Sequence, residues 1–596
     1  MTRAAVLSWL LLVAACGPRA VPRGSIDLTT TAETSGWIRT GRYDEAVRLC
    51  RDLARAYPDG ARCERYGVTP EGRDQVALVV AAGGALTPED ALAQRRPVIL
   101  VQAGIHAGEI EGKDAGFVLL RDMLDGKLLP GVLGAITVVF VPVVNPDGHE
   151  RFGPAHRINQ RGPAEMGFRT TAQNLNLNRD YVKVDAPEMA ALLELFARWQ
   201  PVVYVDLHTT DGAKFEHDVA VLVAPLGPRP DGLERTARAL SDGLQARLTA
   251  LGHLPLDFYP SFIDGDDPTS GFATGDAPPR FSQAYAAARD RIGVLVETHS
   301  WRTYKERAQA MRDLLIALFE RGVTDGTAWQ KAVDDAAAAA TRLGGTDVVL
   351  LSSSNEASRT IDFRGYAYER KPSEISGGIW TVYDETTPQV WKVPLHDTMA
   401  PGLTVRAPRG GYLVPAAYAE LVAPRLDRHR VRFGRTVEAV RVEDALVFRA
   451  DSVKFAPGPF EGRTRATISG AWKPEVVTLG PGALWVPIGQ PGARLALFMF
   501  EPTSSDSLAA WGFFNAVFEQ KEYMEAYVAE EVAREMLADP AVRTAFESWL
   551  AADPDRAKSA DERLDFFYRR HPSWDAQKDR LPIVKTDTVP AEMVVP

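Results

Sequence analysis

The apolar residues of this chain gather in short, nearly unbroken runs of valine, isoleucine and leucine at 76–81, 98–103, 136–144, 202–207, 219–223 and 293–296. Runs of that length and composition predict strands covered on both faces. Before and between them, apolar positions recur at helical spacing over 43–57, 111–124, 186–199, 233–251 and 282–290. Strands alternating with amphipathic helices predict an α/β fold, a mixed, mostly parallel sheet flanked by helices. A long helix over about 304–342, broken near 322–327 by two glycines, closes this first unit.

Past residue 347 the pattern changes. Short apolar runs with Gly/Pro turns, such as 377–383, 431–433, 437–449 and 495–500, predict a separate all-β module. Helical periodicity returns at 519–550 and 560–570, and the residues after Pro572 read as a loosely ordered tail. The expected division is a leader over 1–16, an α/β unit over 37–343, a β-rich module over 347–505 and a helical segment with its tail over 506–596.

Composition refines this picture only slightly. The 596 residues are 45% hydrophobic and 24% charged, the mix of a globular protein. The net charge of -10 argues against a nucleic-acid partner, which needs a basic face. The N-terminus is more informative. An apolar stretch at 4–15 follows Arg3 and ends in Leu12-Val13-Ala14-Ala15-Cys16-Gly17. It is too short to span a bilayer. Small residues before a cysteine resemble the lipobox of bacterial lipoproteins, which implies an exported cell-envelope protein with a lipid anchor on Cys16. An ordinary cleaved leader would make it periplasmic or secreted instead. In such an oxidising compartment Cys50 and Cys63 read either as a disulfide or as two separately buried thiols.

The candidate chemistry sits at strand ends. His106 and Glu109, three residues apart, follow the run at 98–103; His208 closes the run at 202–207; Glu297 closes the run at 293–296. Two imidazoles and a carboxylate are the ligand set of one catalytic Zn²⁺ that keeps a coordination position open. Glu297 is then the candidate general base for water. A lone His-x-x-Glu is a weak signal. Ligands of α/β sheets, however, collect outside the carboxyl ends of the strands, and all of these residues lie there.

Between the ligands stand Asn145-Pro146-Asp147-Gly148, then Arg157-Ile-Asn-Gln-Arg161, then Asn174-Leu-Asn-Leu-Asn178-Arg179-Asp180-Tyr181. With the His-x-x-Glu pair, the later histidine and the late glutamate, this order resembles the M14 (carboxypeptidase A-like) zinc carboxypeptidases over roughly residues 40–320. The resemblance implies a carboxypeptidase fold and hydrolysis at the C-terminus of peptide substrates. It implies that Asn178 and Arg179 grip the substrate's terminal carboxylate and that Arg161 polarises the scissile carbonyl, with Arg157 and Arg169 close enough in sequence to exchange with it. Three departures stand out. Asn176 replaces the aspartate that often supports the first histidine; Gly108 replaces an arginine before the metal glutamate; and 265–279 lacks the family's mobile tyrosine, although Tyr259 and Tyr285 flank it. Two rival readings remain at this point, an amidase or endopeptidase of peptidoglycan stem peptides and a catalytically idle protein that binds peptide termini. Oligomeric state is not legible.

Overall fold

In the computed structural model, residues 26–589 and the backbone of 593–594 are described. The expected leader and Cys16 lie outside them. The strands of the first unit are β1 (Ala61–Val68), β2 (Asp74–Val80), β3 (Val98–Ala103), β4 (Thr137–Val141), β5 (Val203–Thr210), β6 (Val219–Ala224), β7 (Pro255–Leu256), β8 (Phe272–Ala273) and β9 (Ile292–His299). All but β8 form one sheet in the order β1-β2-β4-β3-β5-β9-β6-β7. β3 runs parallel to β4 and β5, β5 parallel to β9 and β6 parallel to β7, while β1–β2, β2–β4 and β6–β9 pair antiparallel. Every residue of β3, β4, β5 and β9 is buried, the physical reason these strands read as continuous apolar runs.

Alternation along β3 shows what covers each face. Ile99, Val101 and Ala103 pack with helices Tyr43–Ala56, Glu111–Leu124, Leu233–Ala250 and Tyr304–Ala340. Val98 and Leu100 pack with helices Pro187–Trp199 and Ser282–Ala288. Cys50 and Cys63 form a disulfide that ties the helix Tyr43–Ala56 to β1.

The helix Tyr304–Ala340 is continuous, contrary to the break expected near 322–327. Its glycines permit close approach instead. A Cβ on Gly326 would lie 2.7 Å from Pro97 Cγ, and one on Gly322 would meet Ile136 and Ile99 at 3.1 and 3.2 Å.

The downstream part departs further from expectation. β10 (Asp347–Ser354) pairs with β13 (Met399–Arg406), and between them β11 (Arg359–Pro372) and β12 (Ile379–His396) form a long hairpin whose base pairs with β8. The module beyond carries the expected β sheets and in addition holds helices Ala416–Arg428 and Ala493–Phe500. The second of these was expected as a strand at 495–500. All eight of its residues are buried, and the run 495–500, apolar at every position, satisfies both the helical and the strand period. Residues 580–586, expected in a loose tail, form a strand between Leu446–Phe455 and Gly411–Val414. That pairing is decided by partners more than a hundred residues away, which no local pattern reports. The module is also not separate. A single apolar core runs from Leu192, Phe196 and Tyr285 of the first unit into Leu426, Val486 and Leu497 of the second.

Candidate active site

Register builds the site. β5 and β9 align His208 with Glu297, so the two side chains stand side by side on neighbouring strands. β3 ends at Ala103, and the turn after it carries His106 and Glu109 to the same end of the sheet. The donor atoms of His106, Glu109 and His208 lie within 4.8 Å of one another, and all three residues are buried.

Both imidazoles turn Nδ1 toward Glu109, at 3.1 Å for His106 and 2.9 Å for His208. Their Nε2 atoms are held from behind, His106 by Asn176 Oδ1 at 3.1 Å and His208 by Asp206 Oδ2 at 2.7 Å. Such outer partners fix ring orientation and leave the opposite nitrogens to converge on an ion. Glu109 Oε2 also accepts from the Thr209 backbone N–H at 3.1 Å, and Oε1 meets Arg157 at 2.7 Å. The electrostatics favour a cation among these atoms. Burial disfavours charge on His208, yet Asp206, Glu109 and Glu297 outweigh it and hold its pKa well above the ordinary value. His106, where burial dominates over Glu109, is pushed down to about 4 and so presents a neutral imidazole. The donor set therefore fits Zn²⁺.

Glu297 is 7% exposed. Burial, reinforced by the carboxylates of Glu109, Asp206 and Asp211 against the pull of His208, pushes it up to about 8. A bound divalent cation would draw it down again.

A cavity of about 420 Å³ opens from these residues and is also lined by Arg157, Arg169, Asn178, Arg179 and Tyr259. Arg179 donates to the Asn178 carbonyl at 2.7 Å and lies 4.3 Å from the centre of the Phe281 ring. No carboxylate among the described residues forms an ion pair with it. Burial, together with the neighbouring cations Arg169 and Arg280, pushes its pKa down to about 10. Such a guanidinium is poised for an external anion. The Asn178 amide has only a long contact, 3.5 Å to His208 Nε2.

Arg161 is not part of this cavity. Its guanidinium reaches the other way, donating to both Glu385 oxygens at 2.5 Å and lying 5.7 Å from the Trp301 ring centre. Arg157 and Arg169 stand in the cavity instead, and Arg169 is 3.6 Å from Glu109. Gly108 makes room for this arrangement. A Cβ there would lie 2.6 Å from Arg157 Cγ and 2.7 Å from the Gly167 carbonyl. Thus the chain that lacks an arginine before Glu109 brings a guanidinium to the same carboxylate from a distant loop. Tyr285 is in the core against Phe196 and His429, whereas Tyr259 lines the cavity with its hydroxyl 3.1 Å from Thr210 Oγ1.

Asp206 was missed by sequence reasoning, although its spacing of two from His208 on a strand puts both on one face. Also missed was the buried pair Arg307–Glu111 at 3.0 Å beneath the site. Glu111 accepts from Thr298 on β9 at 2.7 Å, while Arg307 holds the carbonyls of Arg161 and Gly162 at 2.8 Å. The sequence carries no signal for that pair.

A mixed α/β sheet with a buried His-Glu-His donor set and a carboxylate on the adjoining strand defines a mononuclear metal hydrolase. Residues 46–265 match the family model for zinc carboxypeptidases, M14. It is 24% identical over 519 residues to carboxypeptidase 2 of Trichophyton rubrum, covering 83% of this chain and 86% of that one. Carboxypeptidase B of Astacus astacus is 25% identical over 146 residues, 24% of this chain and 45% of the other. Among solved structures, carboxypeptidase A of Helicoverpa armigera aligns over 50% of this chain and 74% of its own, at 14% identity and a TM-score of 0.35. A metallo-carboxypeptidase of Burkholderia cenocepacia aligns over 47% and 69%, at 16% identity and 0.34.

Proposed function

We propose that this chain is an exported exopeptidase that removes C-terminal residues from peptides, with one Zn²⁺ held by His106, Glu109 and His208. The observation that carries the reading is Arg179, a largely buried guanidinium without an acidic ion-pair partner among the described residues, in the cavity that holds the three donors and Glu297. A terminal carboxylate supplies the missing charge, and the planar fork of arginine grips it bidentately. Asn178 adds its amide. The apolar walls formed by Leu222, Leu295 and Phe498 receive the terminal side chain.

Bound zinc would acidify water and polarise the carbonyl. Glu297 takes the proton of the attacking water and passes it to the leaving amine. Arg169, in the cavity where Arg161 is not, donates to the developing oxyanion. The leader-like run at 4–15 and Cys16 support export with a lipid anchor.

The test is zinc content and turnover of blocked dipeptides with free or amidated C-termini, for wild type and Glu297→Gln. Activity that needs zinc, Glu297 and the free carboxylate is expected. A folded, zinc-loaded Glu297→Gln protein with the wild-type rate would sink the assignment. Equal turnover of amidated substrates would remove the role of Arg179.

A further inference from the structure

A second cavity, of about 610 Å³, begins where the catalytic one ends. The two share Asp211 and Tyr259. On the far side of those residues the wall is Trp301, just past β9, and the tip of the β11–β12 hairpin with Ile375, Ile379 and Trp380. These hairpin side chains are left in water, Ile375 completely and Ile379 and Trp380 at 54% exposure each. Isolated exposed apolar residues are ordinary, but a cluster of them lining a concavity of this size marks a binding surface.

The hairpin is fastened rather than loose. At its base Phe363 and Trp391 pack against Phe215 and Phe272 of the first unit. Farther along, Glu385 receives Arg161 at 2.5 Å and Lys214 at 2.7 Å. Near the tip Arg370 pairs with Asp267, and Thr381 Oγ1 donates to the Asp266 carbonyl at 2.9 Å. The tip itself closes on Ser373, whose hydroxyl accepts from the backbone N–H of Ser376 at 3.1 Å. The apolar tip is thus held at the mouth of the catalytic cavity by contacts along its whole length.

A peptide with its terminal carboxylate on Arg179 and its scissile bond beside Glu297 has its last side chain in the inner cavity. Its remaining residues must leave past Tyr259 and Asp211. We infer that the outer cavity is a subsite for that upstream stretch, selecting an aromatic or branched aliphatic side chain on the amino side of the scissile bond. Asp211 and Asp266 at its rim disfavour acidic residues there. Arg161 and Glu385 act as positioning residues that hold the apolar wall in place. The inference rests on the exopeptidase reading for the direction of the chain.

The test uses the full-length zinc enzyme and blocked peptides ending in one fixed C-terminal pair, preceded by glycines or by a phenylalanine at successive upstream positions. The wild type is expected to favour the best phenylalanine peptide over its glycine counterpart by about tenfold or more in kcat/KM, mostly through KM. Trp380→Ala with Ile379→Ala should bring that ratio close to one. Glu385→Gln should raise KM for the phenylalanine peptide while its kcat holds, a split that a general loss of folding does not produce. A wild type indifferent to the upstream residue overturns the inference, as does a ratio unmoved by the double alanine variant. So does a Trp380-dependent gain seen only with a glycan attached to the peptide. Binding of an amidated phenylalanine-containing tripeptide by calorimetry reads the outer cavity without turnover. Equal binding by wild type and the double variant overturns the inference even if the exopeptidase reading fails, whereas loss of dipeptide turnover alone speaks only against that reading.

Discussion

Asp206→Asn isolates how the protein tunes its metal site. Asp206 and His208 are 2% exposed or less, and the bond between Oδ2 and Nε2 is 2.7 Å. The substitution keeps an acceptor in place but exchanges a charge-assisted hydrogen bond for a neutral one, a difference of about 1–2 kcal/mol. The second carboxylate oxygen, Oδ1, is buried without a hydrogen-bond partner. An amide NH₂ in that position would be an unsatisfied donor, adding about 1 kcal/mol or more. The second cost lowers fold stability with or without metal; the first corresponds to zinc affinity weakened by about 10-fold or more, within the 10- to 100-fold range expected when an outer partner of a ligating histidine is altered. His106 supplies the contrast. Its partner Asn176 is neutral and at 3.1 Å, so Asn176→Ala should cost less than Asp206→Asn. Zinc dissociation constants from chelator competition, with thermal melts to confirm folding, decide the matter. The reasoning is refuted if folded Asp206→Asn binds zinc as tightly as wild type, or if Asn176→Ala proves the worse of the two.

Two further outcomes are expected. Arg169→Gln should lower kcat on blocked dipeptides by about 10²–10³-fold, the loss expected for one oxyanion donor, whereas Arg161→Gln should change kcat by no more than a few fold; the reverse pattern in steady-state kinetics would return the carbonyl role to Arg161. His253 is hydrogen-bonded to Asp218 at 2.6 Å and to Asp313 at 3.1 Å, and these bonds raise its pKa to about 9. Because the folded value lies above the unfolded one, this stabilisation is complete below about pH 6.5 and fades as pH rises toward 9. Melting temperature should therefore fall between pH 6.5 and 9.5, and His253→Gln should flatten that slope; an identical slope in the variant would count against it.

The sheet and the His-Glu-His donor cluster at its strand ends were legible in the sequence for a local reason. β3, β4, β5 and β9 are buried on both faces, so their composition alone marks them. The chemistry sits directly after those marks, which is why His106, Glu109, His208 and Glu297 stand out without a structure. Arg161 shows where local reading stops. Three arginines lie within thirteen residues of loop, and only their tertiary partners (Glu385 for Arg161, Glu109 for Arg157, the cavity for Arg169) distinguish them. The helix at 493–500 and the strand at 580–586 were misread because uniform apolarity fits either period and because strand pairing is set by distant segments. By itself, then, the sequence determined the α/β class and the residues that stand at the strand ends, since each of these is read from a few neighbouring positions. Which guanidinium lines the cavity, and that the downstream module walls both cavities, were decided only by the tertiary structure, because each depends on side chains that approach from loops and strands distant along the chain.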